Sequence, residues 1–293
     1  MDTRKGLSHE QVDEYHREGY IVLPSFVETS VLQRIDRAVE QIVEQGLAEG
    51  NYEKQFELEP DMVNGKPVVR RIFDPFDQHQ AFRDMGGDGR ILDNIESLIG
   101  PDITLHHSKL NMKSARVGSV VEWHQDMAYF PHTNDDLITC LIYLDDTTQE
   151  NGCLQVLPRH HTHFFSHELP DGSFAGMITE DLSNGRWGRP VPLEAPAGSL
   201  IMMHCITPHA SLANRSDRSR RTLIFEYRAA DAFPIYYGDM VQVVEAQYRL
   251  LRGRPARYAR FGGPQPLIPQ VNKYRSLYEL QQRSKAKLQA AVS

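Results

Sequence analysis

From residue 101 to about residue 230 the chain is a succession of short apolar runs, each closed off by turn-forming residues. DITLHHSKLNM, LITCLIYLDD, GCLQVLP, GSLIMMHCI and RRTLIFEYRAA all have strand length, and the first alternates clearly. Glu150-Asn151-Gly152, Ala197-Gly198 and Asn214-Arg215-Ser216-Asp217 lie between them, and Pro158 ends one run. Strands this short and closely spaced bury their apolar faces by pairing into a sandwich or barrel.

Upstream the pattern is helical. Ser8-His9-Glu10-Gln11 fits a capping box and Gly19 can close the helix it opens. YIVLPSF reads as a short strand stopped by Pro24. Ser30 to Gln33 offers a second capping box, and Leu32, Ile35, Val39, Ile42 and Val43 follow at helical spacing, which predicts a helix over roughly 30–46. RILDNIESLIG (90–100) reads as a third helix ending at Gly100. The Gly-rich 171–192 stretch lacks periodicity, as functional lids often do, and Trp187 is its candidate lid residue. From about residue 270 the tail reads as a surface helix that frays. Helices first and strands later predict one α+β domain over 1–293 with a mainly β core. Its N-terminal helical segment spans 1–100, the core about 101–230 and a C-terminal extension 231–293.

Composition narrows the function. A net charge of −7 argues against an electrostatic nucleic-acid binder. No apolar stretch approaches the ~18–20 residues of a membrane span. Met1 to Gly6 has no apolar h-region, so no secretory signal is expected. Cys140, Cys153 and Cys205 are odd in number and scattered, which predicts reduced thiols in a cytoplasm.

EWHQDMAYF (122–130) holds the chemistry-bearing triplet His124-Gln125-Asp126 at the end of an apolar run. On an extended strand residues two apart share a face, so His124 and Asp126 can reach one ion. Two histidines and one carboxylate leave three positions open on one face, the arrangement of non-haem Fe(II) oxygenases. The third ligand must come from a distant strand, and the residues leave two choices. His204 lies within LIMMHCI, where a core histidine is the ordinary reading. His209 lies just past Pro208 at a strand–loop edge, where a plain loop histidine is the ordinary reading.

WHQDMAYFPHTNDDLITCLIYLDDTTQENGCLQVLPRHH and HASLANRSDRSRRTLIFEY resemble the phytanoyl-CoA dioxygenase family. The likeness runs from REGYIVLPSF to the strand ending near Arg228 and is specific in the central stretch. It implies a double-stranded β-helix, or jelly roll (cupin-like), with helices packed on one side. It implies Fe(II) held by His124, Asp126 and His209, and 2-oxoglutarate held by Arg220, eleven residues after the distal histidine. An arginine suits the far carboxylate because its planar fork is permanently charged. Ser211 resembles the family's hydroxyl partner for that carboxylate, and Gln125 sits within the motif as in similar members. The chain departs from the human member in carrying Ile142 for a tryptophan beside the cofactor and Lys109 for a methionine before the motif. The pocket is therefore lined differently, and phytanoyl-CoA is not implied as substrate.

His107, Lys109 and Asn111 alternate and so share a face, which places Lys109 against a cofactor or substrate carboxylate if that face lines the barrel. Arg71, preferred over Arg70 by resemblance, and Tyr129 are further candidates for substrate contact. HHTHFF (160–165) looks like a metal cluster but reads as a loop, and Glu122 and Trp123 as shaping the entry to the motif. The resemblance thus implies an Fe(II)- and 2-oxoglutarate-dependent dioxygenase using O₂ to hydroxylate an unactivated C–H of a small organic molecule, carboxylated or acylated. Asp126 favours hydroxylation, or desaturation or cyclisation, over halogenation, which in related enzymes goes with a small residue at that position. The alternatives are a same-fold metal enzyme without 2-oxoglutarate and a non-catalytic binding module. The complete set His124, Asp126, His209 and Arg220 disfavours the binding module.

Overall fold

The structure is a computed structural model that describes residues 5–50, 52–60, 62, 65–116, 118–235, 249–263 and 277–292. Helix α1 (His9–Glu18) carries the full capping box between Ser8 and Gln11 and ends at Gly19 in the left-handed region, φ 84°. Strand β1 (Tyr20–Leu23) follows. Helix α2 (Thr29–Glu49) starts at Glu28 without a side-chain cap, so the box expected at Ser30–Gln33 is not used. Its buried Leu32, Ile35, Val39 and Ile42 fit the expected spacing, so packing rather than capping holds it.

The stretch expected to be helical also contains β2 (Phe56–Leu58) and β3 (Val69–Phe73). In VVRRIF, Val69, Arg70 and Ile72 are all buried, so the strand lacks a clean alternation to read. Helices α3 (Pro75–Gln78), α4 (Gln80–Gly86) and α5 (Gly89–Ile99) complete this region, and Gly100 caps α5 as expected.

The remaining strands are β4 (Ile103–Lys113), β5 (Val121–His124), β6 (Leu137–Tyr143), β7 (Leu154–Val156), β8 (Val191–Pro192), β9 (Leu200–His204), β10 (His209–Ser211), β11 (Arg220–Ala229) and β12 (Leu250–Arg252). The larger sheet runs β1-β9-β6-β11-β4-β3-β2, with β12 also on β4. The smaller runs β5-β10-β7-β8. The described pairings are antiparallel.

Alternation gives the larger sheet two different faces. Leu110, Ile138, Cys140, Ile142, Leu223 and Phe225 point outward into one core with Ile35, Phe82, Ile91 and Ile95 of the helices. Leu141, Tyr143, Ile201, Met203 and Ile224 point inward and meet Leu154, Val156 and Leu193 of the smaller sheet. This is the expected jelly roll, with helices on one side of the larger sheet. Each wholly buried apolar side chain adds roughly 1.5–3 kcal/mol, so the outer core is the main source of stability.

Helix α6 (Leu277–Val292) is not the loosely attached surface helix expected of the tail. Tyr278, Leu280, Gln281 and Ser284 are buried. Leu280 seats on Gly176, where the positive φ of 66° and the lack of a side chain admit it. Gln281 donates to the Gly176 carbonyl at 2.9 Å and accepts from the Glu122 amide at 3.2 Å, fastening α6 to β5. No described helix is long and apolar enough to cross a membrane.

Candidate active site

The cavity between the sheets has a volume of about 60 Å³. Its walls repeat the strand period: Lys109 and Asn111 from β4, Thr139, Leu141 and Tyr143 from β6, Arg220, Thr222 and Ile224 from β11. Arg71 of β3, His124 of β5, His209 and Ser211 of β10, Leu277 of α6 and Asp126 just after β5 also line it.

His124 is the last residue of β5, and β10 places His209 directly opposite it in register. Gln125 stays extended, φ −123° and ψ 130°, before a 3₁₀ turn over Asp126–Ala128. His124 and Asp126 therefore face the cavity together although the strand itself ends between them. His124 Nε2 lies 3.8 Å from Asp126 Oδ1, and His209 Nε2 lies 3.8 Å from Oδ2. Among the described residues, these three form the one histidine–carboxylate group whose ligand atoms converge, all within 4.8 Å.

Each imidazole is pinned through its other nitrogen. His124 Nδ1 donates to the Glu122 carbonyl at 2.8 Å, and His209 Nδ1 to the Thr207 carbonyl at 3.0 Å. That tautomer leaves both Nε2 lone pairs facing Asp126. Burial holds both histidines below their usual pKa, His124 well below, so they stay neutral as ligands must. Burial alone would raise Asp126, but pairing with His209, the Lys109 ammonium, His124 and a 2.7 Å hydrogen bond from Thr139 hold it low, and with both imidazoles neutral Lys109 and Thr139 are the groups that keep the carboxylate ionised. Neutral imidazoles beside an ionised carboxylate, with Nε2 free on both rings, are a donor set that fits Fe(II).

Arg220 is 5% exposed and has no carboxylate partner among the described residues. Nη1 donates to Thr222 Oγ1 at 2.8 Å, Nη2 donates to the Gly152 carbonyl, and Nε has no partner. A buried guanidinium is costly unless an anion compensates it, so an incoming carboxylate fits this orphaned donor, with Ser211 on the same cavity wall. Adjacent Arg221 points out of the sheet to Asp145 at 2.6 Å and Asp36 at 2.7 Å. Arg71 is half-buried, donates to Asn111 Oδ1 at 3.0 Å and also lacks a carboxylate partner among the described residues. Lys109 Nζ stands 3.6 Å from Glu226 Oε1.

Several expected contacts are elsewhere. Gln125 is wholly buried on the far side of the turn. Its amide donates to the His163 and Ile206 carbonyls at 2.7 and 2.6 Å and accepts from the Phe165 amide at 2.8 Å, so it pins a loop and does not line the cavity. Ile142 faces the helical core, and its neighbours Leu141 and Tyr143 hold the cavity positions. His107 lies off the cavity, edge-on to Phe130. Its expected alternation with Lys109 and Asn111 therefore does not carry it into the site. Tyr129 spends its hydroxyl on the Gly176 carbonyl while its ring stands edge-on to His124, so it supports the ligand.

His204 packs against Tyr15 and His161, away from the site. In HHTHFF, His163 stacks on Trp187 of the long loop, which rests there and not over the cavity. Glu122 and Trp123 tether neighbours to β5, through Lys285 and the Ile178 amide. Thr139, Thr222, Tyr143, Leu277 and Glu226 escape a reading of the sequence. Only alternation could have found Thr139 and Tyr143 on β6, or Thr222 and Glu226 after Arg220 on β11, and Leu277 on α6 carries no such signal.

A jelly roll whose inner face joins two histidines and an aspartate, beside a buried arginine awaiting an anion, defines a non-haem Fe(II)- and 2-oxoglutarate-dependent dioxygenase. The chain belongs to the phytanoyl-CoA dioxygenase (PhyH) family, whose profile matches residues 15–222. It is 34% identical over 245 residues to the probable alpha-ketoglutarate-dependent hypophosphite dioxygenase of Stutzerimonas stutzeri, covering 78% of this chain and 83% of that protein. It is 28% identical over 227 residues to the 2-aminoethylphosphonate dioxygenase of the uncultured bacterium HF130_AEPn_1, covering 75% and 81%. In structure it resembles EctD from S. alaskensis with bound Fe, at a TM-score of 0.66 and 20% identity over 94% of this chain and 90% of that one.

Proposed function

We propose that this dioxygenase oxidises a small oxyanion, of phosphonate or phosphinate type, and that Arg71, Lys109 and Asn111 receive its charged end. The observation that carries this is a second guanidinium in the cavity. Arg220 suffices for the far carboxylate of 2-oxoglutarate, yet Arg71 also faces the cavity with no carboxylate partner among the described residues. Two guanidinium groups in one small cavity call for two anions. The two relatives named above act on phosphorus oxyanions by their names, which supports the same class here and widens the expected substrate beyond carboxylated or acylated organic molecules.

On this reading His124, Asp126 and His209 hold the iron, which with 2-oxoglutarate and O₂ supplies the oxidising chemistry. Arg220, with Ser211 and Thr222 beside it, orients the co-substrate. Asn111 fixes Arg71 so that its fork is pre-aligned for an oxyanion. Helix α6 excludes water at the rim through Leu277, and Tyr278 lies under the Arg71 guanidinium at 5.5 Å. The substrate is a small molecule and not a nucleic acid or a membrane surface, and the three free, buried cysteines suit a cytoplasmic location. The test is succinate release under Fe(II), 2-oxoglutarate and O₂ with a panel of phosphonates, hypophosphite, carboxylates and neutral isosteres. Coupled turnover with oxyanions that weakens on Arg71→Ala is expected; turnover confined to neutral substrates would overturn the assignment.

A further inference from the structure

Thr139 stands between two carboxyl groups. Its Oγ1 lies 2.7 Å from Asp126 Oδ2 and 2.7 Å from Glu226 Oε2. A hydroxyl has one proton and can donate only once. Two bonds of that length therefore require a second proton, and one of the carboxyl groups must bring it. Asp126 faces His124 and His209 as the metal-binding carboxylate, and a carboxylate binds a metal ion in its deprotonated form, so the proton sits at position 226. We propose that Glu226 is a protonated carboxylic acid and that, through Thr139, it is the positioning residue for the metal-binding carboxylate of Asp126.

The surroundings agree. Glu226 is 0% exposed. Lys109 from β4 is the cation facing it, at 3.6 Å, beyond a good hydrogen bond. His107 of β4 is its cross-strand partner and is held neutral by burial. Cys140 of β6 and Cys205 after β9 are buried thiols whose pKa burial raises, so neither adds a cation. Without a bound ion, one ammonium cannot compensate two buried carboxylates, and neutralising one of them is the cheaper state. Burial, then Asp126, pushes the Glu226 carboxyl up to about 8 against Lys109 and Thr139.

The proton order follows. Glu226 donates to Thr139, Thr139 donates to Asp126 Oδ2, and Oδ1 accepts no hydrogen bond among the described residues, free for the metal. The chain of bonds also damps the charge on Asp126, so it tunes the ligand as well as aiming it.

This rests on Asp126 being a metal ligand, but its first test does not use turnover. Infrared spectra of the metal-free protein near pH 6.5 should show the carbonyl stretch of a protonated carboxylic acid, lost in Glu226→Gln. The second test is Fe(II) affinity by titration. Glu226→Gln keeps a donor toward Thr139 and should stay within about threefold of the parent. Thr139→Val, which breaks the relay without changing shape, and Glu226→Leu should weaken iron binding by about 10–100-fold. A spectrum without the band, or Glu226→Gln binding iron as poorly as Thr139→Val, overturns the proposal. A protein that shows the band and the affinity pattern but releases no succinate would fail only as a dioxygenase.

Discussion

Arg220 and Arg221 are neighbours on β11 with opposite fates. Arg220 is buried on the inner face, bonded to a hydroxyl and a carbonyl, with one nitrogen unpartnered. Arg221 on the outer face closes on two aspartates, which together with burial's opposing effect leave its pKa raised. The same division runs through the whole larger sheet. Residues 109, 111, 139, 141, 143, 220, 222 and 224 line the cavity, while Leu110, Ile138, Cys140, Ile142, Leu223 and Phe225 build the core. The inner face keeps polar groups unpaired, which weakens a fold and serves a ligand. The outer face buries mainly apolar side chains and pairs its arginine.

The sharpest break between the faces is a substitution on each. His209→Ala should cut iron affinity by more than about 100-fold, since even residues that only support a ligand cost 10–100-fold. Turnover should fall with it, while the melting curve of the metal-free protein barely moves. Phe225→Ala on the outer face should do the opposite, losing about 3–5 kcal/mol of stability with iron stoichiometry intact in the folded fraction. Iron titration and thermal melts on both variants decide it, and full iron in His209→Ala would remove the metal assignment.

Acid tests whether the frame fails apart from the cavity. His132, His167 and His204 lie outside the cavity lining, and burial first of all lowers their pKa to about 3, 4 and 4. The unfolded chain takes up those protons near pH 6.5, so folding stability falls as pH drops from there toward 4. Each group contributes about 1.4 kcal/mol per pH unit in that window. Glu226 has the opposite sign: its raised pKa makes it stabilising below about 4.5 and progressively less so up to about 8. Metal-free protein should therefore melt highest near neutral pH, and a melting temperature flat from pH 7 to 5 would contradict the buried neutral histidines.

Arg220→Lys tests the inner face directly. A point charge replaces a planar fork, and a charge-assisted bond is worth about 1.5–3 kcal/mol. KM for 2-oxoglutarate should rise by roughly 10–100-fold, with kcat less affected and the melting temperature held. An unchanged KM would mean that the co-substrate carboxylate binds elsewhere.

How much of this is legible in the sequence follows the same division. LITCLIYLDD and RRTLIFEYRAA are readable as strands because one strong apolar set marks each. His-x-Asp is readable as a shared face by alternation alone, and the extended Gln125 preserves that alternation past the end of β5. The third ligand is not readable from residues alone: His204 and His209 both fit, and register with His124 separates them. Resemblance puts Ile142 beside the cofactor, one step off the true face. Thr139 and Glu226 hide inside apolar runs, because a buried polar residue is found by its partners and not by its neighbours in sequence. Helix α6 reads as a frayed tail because only its contacts with Gly176, Glu122 and the arginines of β3 show what it covers.

Arg221 gives the smallest effect and closes the comparison. Its guanidinium takes both oxygens of Asp145, at 2.6 and 2.9 Å, and reaches Asp36 of α2 at 2.7 Å, tying the helical layer to the sheet. Asp145 also accepts from the Arg221 amide at 2.8 Å, so the aspartate stays in place when the side chain changes. These groups are partly exposed, and water screens much of the interaction. Arg221→Lys should therefore cost about 1 kcal/mol or less, a fall of about 2 °C in Tm. KM for 2-oxoglutarate should not change, because the side chain lies across the sheet from the cavity. If Arg221→Lys raises that KM and Arg220→Lys leaves it alone, β11 is out of register by one residue. Every inner-face assignment on β11, Glu226 included, would then move with it.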